Sequence, residues 1–273
     1  DTLARTIVEE VNRNHVQGLG VAGSFRELSG WTIGATDVSA MGAAVTDGTF
    51  YLRVTDTATG AAARHAVDVQ VSGAAPDTPE SLAAAIDAID GLSASITSGR
   101  LYIVADPGYT FDFLPGLLSE PTAQTFTAAS PPTVSIAGLF NGDQNDVFTF
   151  TVVGNGAVGN GSLQLAVRNK DGDLISTVNV GAGYAAGDVM ALNNGLRIAV
   201  STGDLNAGDQ FEVEAFATAD TSGFLAAAGM NTFFSGASAS EIRVNNEILN
   251  APDRLATALE PGLTDNGCVL RLA

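Results

Sequence analysis

Cysteine is almost absent. The 273 residues hold one, Cys268, so the chain can form no disulfide within itself. Basic residues are scarce: Lys and Arg total 12 against 30 Asp and Glu, for a net charge of −18. Such a surface repels a polyphosphate, which argues against a nucleic-acid partner, and it repels an anionic membrane surface. The acidity serves solubility and discourages self-association, with cation binding as the alternative use. No apolar run reaches the roughly 18 residues of a transmembrane helix, so no membrane insertion is expected. There is no basic-then-apolar leader, and the sequence opens in mid-pattern at Asp1, which reads as an excised fragment. Aromatics are only 7% while glycines number 31, a balance suited to many short strands joined by turns.

Residues 1 to 16 carry Leu3, Ile7 and Val11 at i, i+4, i+8, which predicts a helix packing a narrow stripe on a partner helix. Gly18 and Gly20 are expected to end it. His15 reads as a helix-end histidine near the last carbonyls, since no second ligand stands at metal spacing. Trp31, beside Gly30, reads as a buried hinge ring between domains. From Ser39 the period shifts to two. Phe50, Leu52 and Val54, then Val67, Val69 and Val71 across Thr59-Gly60, predict a hairpin. Thr78-Pro79-Glu80 starts a helix whose Leu82, Ile86 and Ile89 face the sheet. Strands follow at 94–96 and 101–104, with Phe111 and Phe113 next, giving an α+β unit.

Pro131-Pro132 reads as a boundary. Beyond it, runs at 147–153, 163–167, 174–180, 196–200 and 211–216 predict a sandwich or small barrel. Helical spacing returns with Phe224, Leu225 and Ala228, stopped at Gly229. Asn231 to Gly236 reads as a turn carrying Phe233 and Phe234, and Ile242 and Val244 alternate as a short strand. Pro252 begins a short helix bearing Leu255 and Leu259. Asp265 and Asn266 lead into a last apolar helix through Leu272, in which Cys268 packs rather than reacts.

The fold class expected is therefore α+β and multi-domain. Residues 1–30 and 220–273 form one discontinuous helical domain, 39–130 an α+β insertion and 131–219 a β-rich unit.

Several motifs invite chemistry and lack its context. Gly18-Leu-Gly20-Val-Ala-Gly23 follows a helix, and Gly154-Asn-Gly156-Ala-Val-Gly159 leads into a strand. Neither opens the helix that would meet a pyrophosphate. Asp143-Gln-Asn145-Asp146 and Asp171-Gly-Asp173 are acidic turns without the glycine and glutamate of a calcium loop. No nucleophile, base or acid pair is assembled, so no catalytic residues, metal, cofactor or small-molecule substrate are expected and the chain reads as a non-enzyme.

Two segments carry a family resemblance. Val11-Asn12-Arg-Asn-His15-Val-Gln-Gly18 resembles the Val-Asn-x-x-His-x-x-Gly end of a long helix. Leu225-x-x-x-Gly229-x-Asn231-x-Phe233-Phe234-x-Gly236, with the following Ile242-x-Val244-Asn245, resembles the partner segment of the same family, flagellar hook-associated protein 1. Asp265-Asn266 is similar to the start of its C-terminal helix, with Val269 where that pattern has alanine.

The resemblance implies a structural subunit at the junction between bacterial hook and filament. It implies a rod-like domain from both chain ends, facing the tube interior, with an outward β domain. Disordered termini beyond both ends would complete the polymer and be missing from this fragment, leaving it soluble and monomeric or weakly associating. The implied partners are identical copies, the hook protein, the second junction protein and an export chaperone. The implied location is extracellular, after export through the flagellar type III system, a narrow channel that a chain with one cysteine suits. Leu3, Ile7 and Val11 are expected to pack on Leu225 and Leu272. The alternatives are another axial protein (second junction protein, cap or flagellin) and an adhesin-like surface module binding glycan or calcium.

Overall fold

The computed structural model describes residues 2–41, 45–236, 238–262 and 265–272. The chain forms two compact units, Asp1–Leu114 with Thr218–Ala273, and Pro115–Ala217. The units part at Leu114/Pro115, not at Pro131-Pro132. Both contain β-structure, helices lie in the first, and the whole is α+β.

The first unit opens with α1, Thr2–Val16. Its buried residues are Val8, Asn12, His15 and Val16, whereas Leu3 is 74% and Ile7 44% exposed, and Val11 is half-buried. The expected stripe is thus displaced by about one position around the helix. Apolar spacing alone misses it because two of the buried side chains are polar and acceptable inside only when their hydrogen bonds are made.

Gly48–Asp56 runs between Ala62–Val69 and Tyr109–Asp112, and Arg100–Ala105 runs between Glu27–Ser29 and Leu92–Thr97. The hairpin register pairs Thr55 with Ala62. The helix α2, Pro79–Asp87, begins with a capping box between Thr78 and Ser81 and buries Leu82 and Ile86 on the sheets. The core of these strands also takes in Phe224 and Leu225, and the Phe50 ring stacks on Phe224 at 5.5 Å. Residues 48–112 therefore share one core with the chain ends.

The C-terminal helices are short: α3, Phe224–Ala227; α4, Asn246–Asn250; and α5, Gly267–Leu272. Of these, α4 was not expected from the sequence. Trp31 lies inside this unit and is half-buried, not a hinge between domains. Its indole N–H donates to the Ala227 carbonyl at 2.7 Å and its backbone N–H to Ala228 at 3.1 Å, so it caps α3. Gly229 continues at φ +79°, where an added Cβ would stand 2.4 Å from the Trp31 ring. Left-handed strain and lack of space act together, so Gly229→Ala should lower stability by about 2–4 kcal/mol, read from the urea midpoint.

In the second unit, five strands lie in the order Leu174–Asn179, Gln164–Arg168, Asp146–Val153, Gln210–Ala215 and Ala123–Thr125. Three more lie in the order Met190–Ala191, Arg197–Val200 and Val134–Ala137. Residues of both sheets share one core, and Phe150 stacks on its register partner Phe211 with centroids 4.5 Å apart. Neither sheet closes on itself among the described residues, so the arrangement is two-layered and the barrel alternative falls away. The strand Val134–Ala137 alternates buried and exposed but is only 4 residues long, too short to stand out beside the runs read from sequence.

Candidate functional site

A helix leaves its last four carbonyls without partners inside itself. In α1 they are satisfied largely from the far end of the chain. The Arg13 carbonyl takes the Gln17 amide at 2.9 Å. The Asn14 carbonyl takes the Cys268 thiol at 3.6 Å. The His15 and Val16 carbonyls take the Asn231 side-chain amide at 3.1 and 3.2 Å, which also reaches the Gly18 carbonyl at 3.0 Å.

Asn231 sits at φ +45°, a left-handed conformation that asparagine tolerates better than most residues. That turn aims its side chain at the helix end and leaves its own carbonyl for His15. The expected role of His15 beside the last carbonyls is thus filled by Asn231.

His15 is fully buried. Its Nδ1 lies 2.7 Å from the Asn231 carbonyl, and its Nε2 accepts the Ala256 backbone N–H at 3.0 Å. A carbonyl can only accept and an N–H can only donate, so the proton is on Nδ1 and the ring is neutral. Burial lowers the His15 pKa from its ordinary 6.5, against an opposing pull from the Asn231 carbonyl. Both nitrogens are engaged by backbone, which leaves no free general base.

One turn earlier, Asn12 bonds the next stretch as a strand would. Its Oδ1 accepts the N–H groups of Phe233 and Phe234 at 3.0 and 2.8 Å, and its amide donates to the Phe234 carbonyl at 3.0 Å. The Phe233 and Phe234 rings are half-buried and meet edge to face at 4.7 Å, with Phe233 5.6 Å from the His15 ring.

Phe234–Ser235 pairs with Arg243–Val244, Phe234 opposite Val244. Ile242 and Val244 are both half-buried. Asn245 ties this hairpin to α4: its N–H donates to the Phe233 carbonyl at 2.7 Å, and its Oδ1 caps α4 through Glu247 N–H at 3.1 Å.

The glycines serve close approach here, and Gly18 and Gly20 are not left-handed stops. A Cβ on Gly18 would lie 2.7 Å from the Cys268 sulfur, and one on Gly20 2.2 Å from the Asp253 carbonyl. Cys268 is buried, and burial pushes its thiol up to about 11. It is a packing group with almost no thiolate at neutral pH. Phe224 and Leu225 are fully buried in the unit's core. Asp220 starts their helix, accepting the N–H groups of Ser222, Gly223 and Leu225. Leu272 is half-buried on α5, which packs against α1.

The structure therefore brings His15, Asn231, Phe233 and Phe234 together and leaves Leu3 and Ile7 facing outward. Asn12 and Asn245, motif positions in the sequence, belong to the same network, as does Gln17, which has no place in the motif. The available signal was the position of Asn12 one turn before His15. Among the described residues no group of three or more His, Cys, Asp or Glu side chains is placed to hold a metal ion.

No family of known proteins matches the chain, and no curated protein matches it. Among solved structures it is similar to the flagellar hook junction protein FlgK from Burkholderia pseudomallei, at 12% identity and a TM-score of 0.21. The alignment covers 93% of this chain and 55% of that one, so the chain spans about half the length of that protein. At so low a score the two folds are not equated.

Proposed function

We propose that the chain is part of a structural subunit of the bacterial flagellum, placed at the junction of hook and filament. The observation that carries this reading is the interlock itself. The two segments that resemble the hook-associated family lie more than 200 residues apart, and Asn12, His15 and Asn231 join them by hydrogen bonds. A junction subunit meets identical neighbours around a tube and different proteins on either side. That task needs shaped, rigid faces and no bond chemistry. The chain ends, about 1–30 and 220–273, would form the inward helical part, contacting identical copies, the hook protein and the second junction protein after export with a chaperone.

Leu3 and Ile7 are the exposed apolar candidates for contact with a neighbouring copy. Replacing either by glutamate should leave the subunit's own stability within about 0.5 kcal/mol. It should nonetheless reduce incorporation into the flagellum, counted on isolated flagella.

Gold-labelled antibody against the chain tests the placement. Labelling at one point where hook meets filament is expected. Labelling along the filament would assign the chain to flagellin, and labelling over the cell body would favour a surface binding module.

A further inference from the structure

We propose that His15 is a proton-operated latch between the two ends of the chain, closed when the ring is neutral and released when it is protonated. The geometry that carries it is the opposed use of the two ring nitrogens. Nδ1–H donates to the Asn231 carbonyl at 2.7 Å and Nε2 accepts the Ala256 N–H at 3.0 Å. These partners belong to separate segments, one before the Phe234–Ser235 hairpin and one after α4. A single neutral ring thus holds both to the end of α1.

A proton on Nε2 turns that atom into a donor facing another donor. The Ala256 bond is lost, its N–H is left without a partner, and a full charge sits where the side chain has no exposure. Neutral asparagine or glutamine in this place would feel no pH. Histidine is the side chain whose ordinary pKa puts its change of donor count in the mildly acidic to neutral range.

Both hydrogen bonds of the ring go to backbone groups, and its aromatic neighbour is Phe233 at 5.6 Å. Segment 229–234 holds no titratable side chain. Beside Ala256 stand Asp253 and Arg254, with Arg254 bonded at 3.4 Å to Glu247. From α5 and its cap come the Cys268 thiol, neutral well above pH 7, Arg271, and Asp265, whose oxygens accept the N–H groups of Leu259, Glu260 and Gly267. Arg13 lies on α1 itself. Among the described residues no carboxylate bonds the His15 ring.

The sign follows directly. The folded ring resists protonation, while the unfolded ring takes up its proton around pH 6.5. Above that pH this group contributes no slope. As pH falls below it, the unfolded or opened state binds the proton first, so the closed latch loses stability progressively toward the depressed folded value. Asp220 is a carboxylate that burial shifts toward neutrality, its pKa raised, and the test must separate it.

The experiment follows the Ala256 amide exchange rate and the His15 ring resonance by NMR between pH 7.5 and 5.5, in the wild type and in His15→Gln. Glutamine can still accept from Ala256 and does not titrate. After correction for intrinsic exchange chemistry, Ala256 should exchange about fivefold to tenfold faster at the acid end in the wild type and at a constant rate in the variant. A pH response that survives His15→Gln belongs to Asp220 or another carboxylate and overturns the proposal. If the variant does not fold, the wild-type titration decides alone. A His15 ring that protonates at or above pH 6.5 with Ala256 exchange unchanged also overturns it.

Discussion

Replacing Asp112 by asparagine lowers the unfolding free energy by about 3–5 kcal/mol, the range expected when one partner of a buried ion pair is removed. Asp112 is fully buried and Arg53 is 6% exposed. They stand opposite each other in register on Gly48–Asp56 and Tyr109–Asp112. The contact is a fork, Nε to Oδ1 at 2.9 Å and Nη2 to Oδ2 at 2.6 Å. Ser24 Oγ and the Leu114 N–H donate to the remaining lone pairs at 2.7 and 3.1 Å. Asparagine keeps the shape and removes the charge, so the guanidinium is left in the interior without its counter-ion.

The loss is expected to be larger than that of the double replacement Arg53→Met with Asp112→Leu, in which no charge remains buried. A double-mutant cycle by urea unfolding checks both statements. Equal stability of Asp112→Asn and wild type would mean that water reaches the pair.

Asn231→Ala is the second large effect, a loss of about 2–4 kcal/mol. The variant removes the donor shared by the carbonyls of His15, Val16 and Gly18. It also places alanine at a backbone φ of +45°. Asn231→Gly separates the two terms. Glycine adopts that conformation freely, so it should recover about 1 kcal/mol and leave the carbonyls unpaired. The same urea series reads both. If glycine equals asparagine, the side-chain bonds contribute nothing net.

How far the fold was readable depended on which force placed each element. The hairpin across Thr59-Gly60 and α2 were legible because their cues are local: alternation, a turn glycine, and a Thr78 cap followed by proline. Gly229 was legible as a helix stop for the same reason. The stripe on α1 was misplaced because its buried members include Asn12 and His15, whose fitness for the interior depends on Phe233, Phe234, Asn231 and Ala256, all more than 200 residues away. Trp31 was misassigned because a lone ring beside a glycine has no local signature of the α3 end it caps. The unit boundary was sought at Pro131-Pro132, where local chain stiffness is greatest. The stacking of Phe50 on Phe224, which draws residues 48–112 into the core of the chain ends, leaves no local trace. At the interlock, the motif segments were visible in the sequence, but their joining was not.

Deletion of the gene in the organism that carries it tests the junction role most directly, scoring swimming and the flagellin found in the medium. The account predicts immotile cells with hooks but no filaments, and flagellin shed into the medium. Motile cells with normal filaments would contradict it.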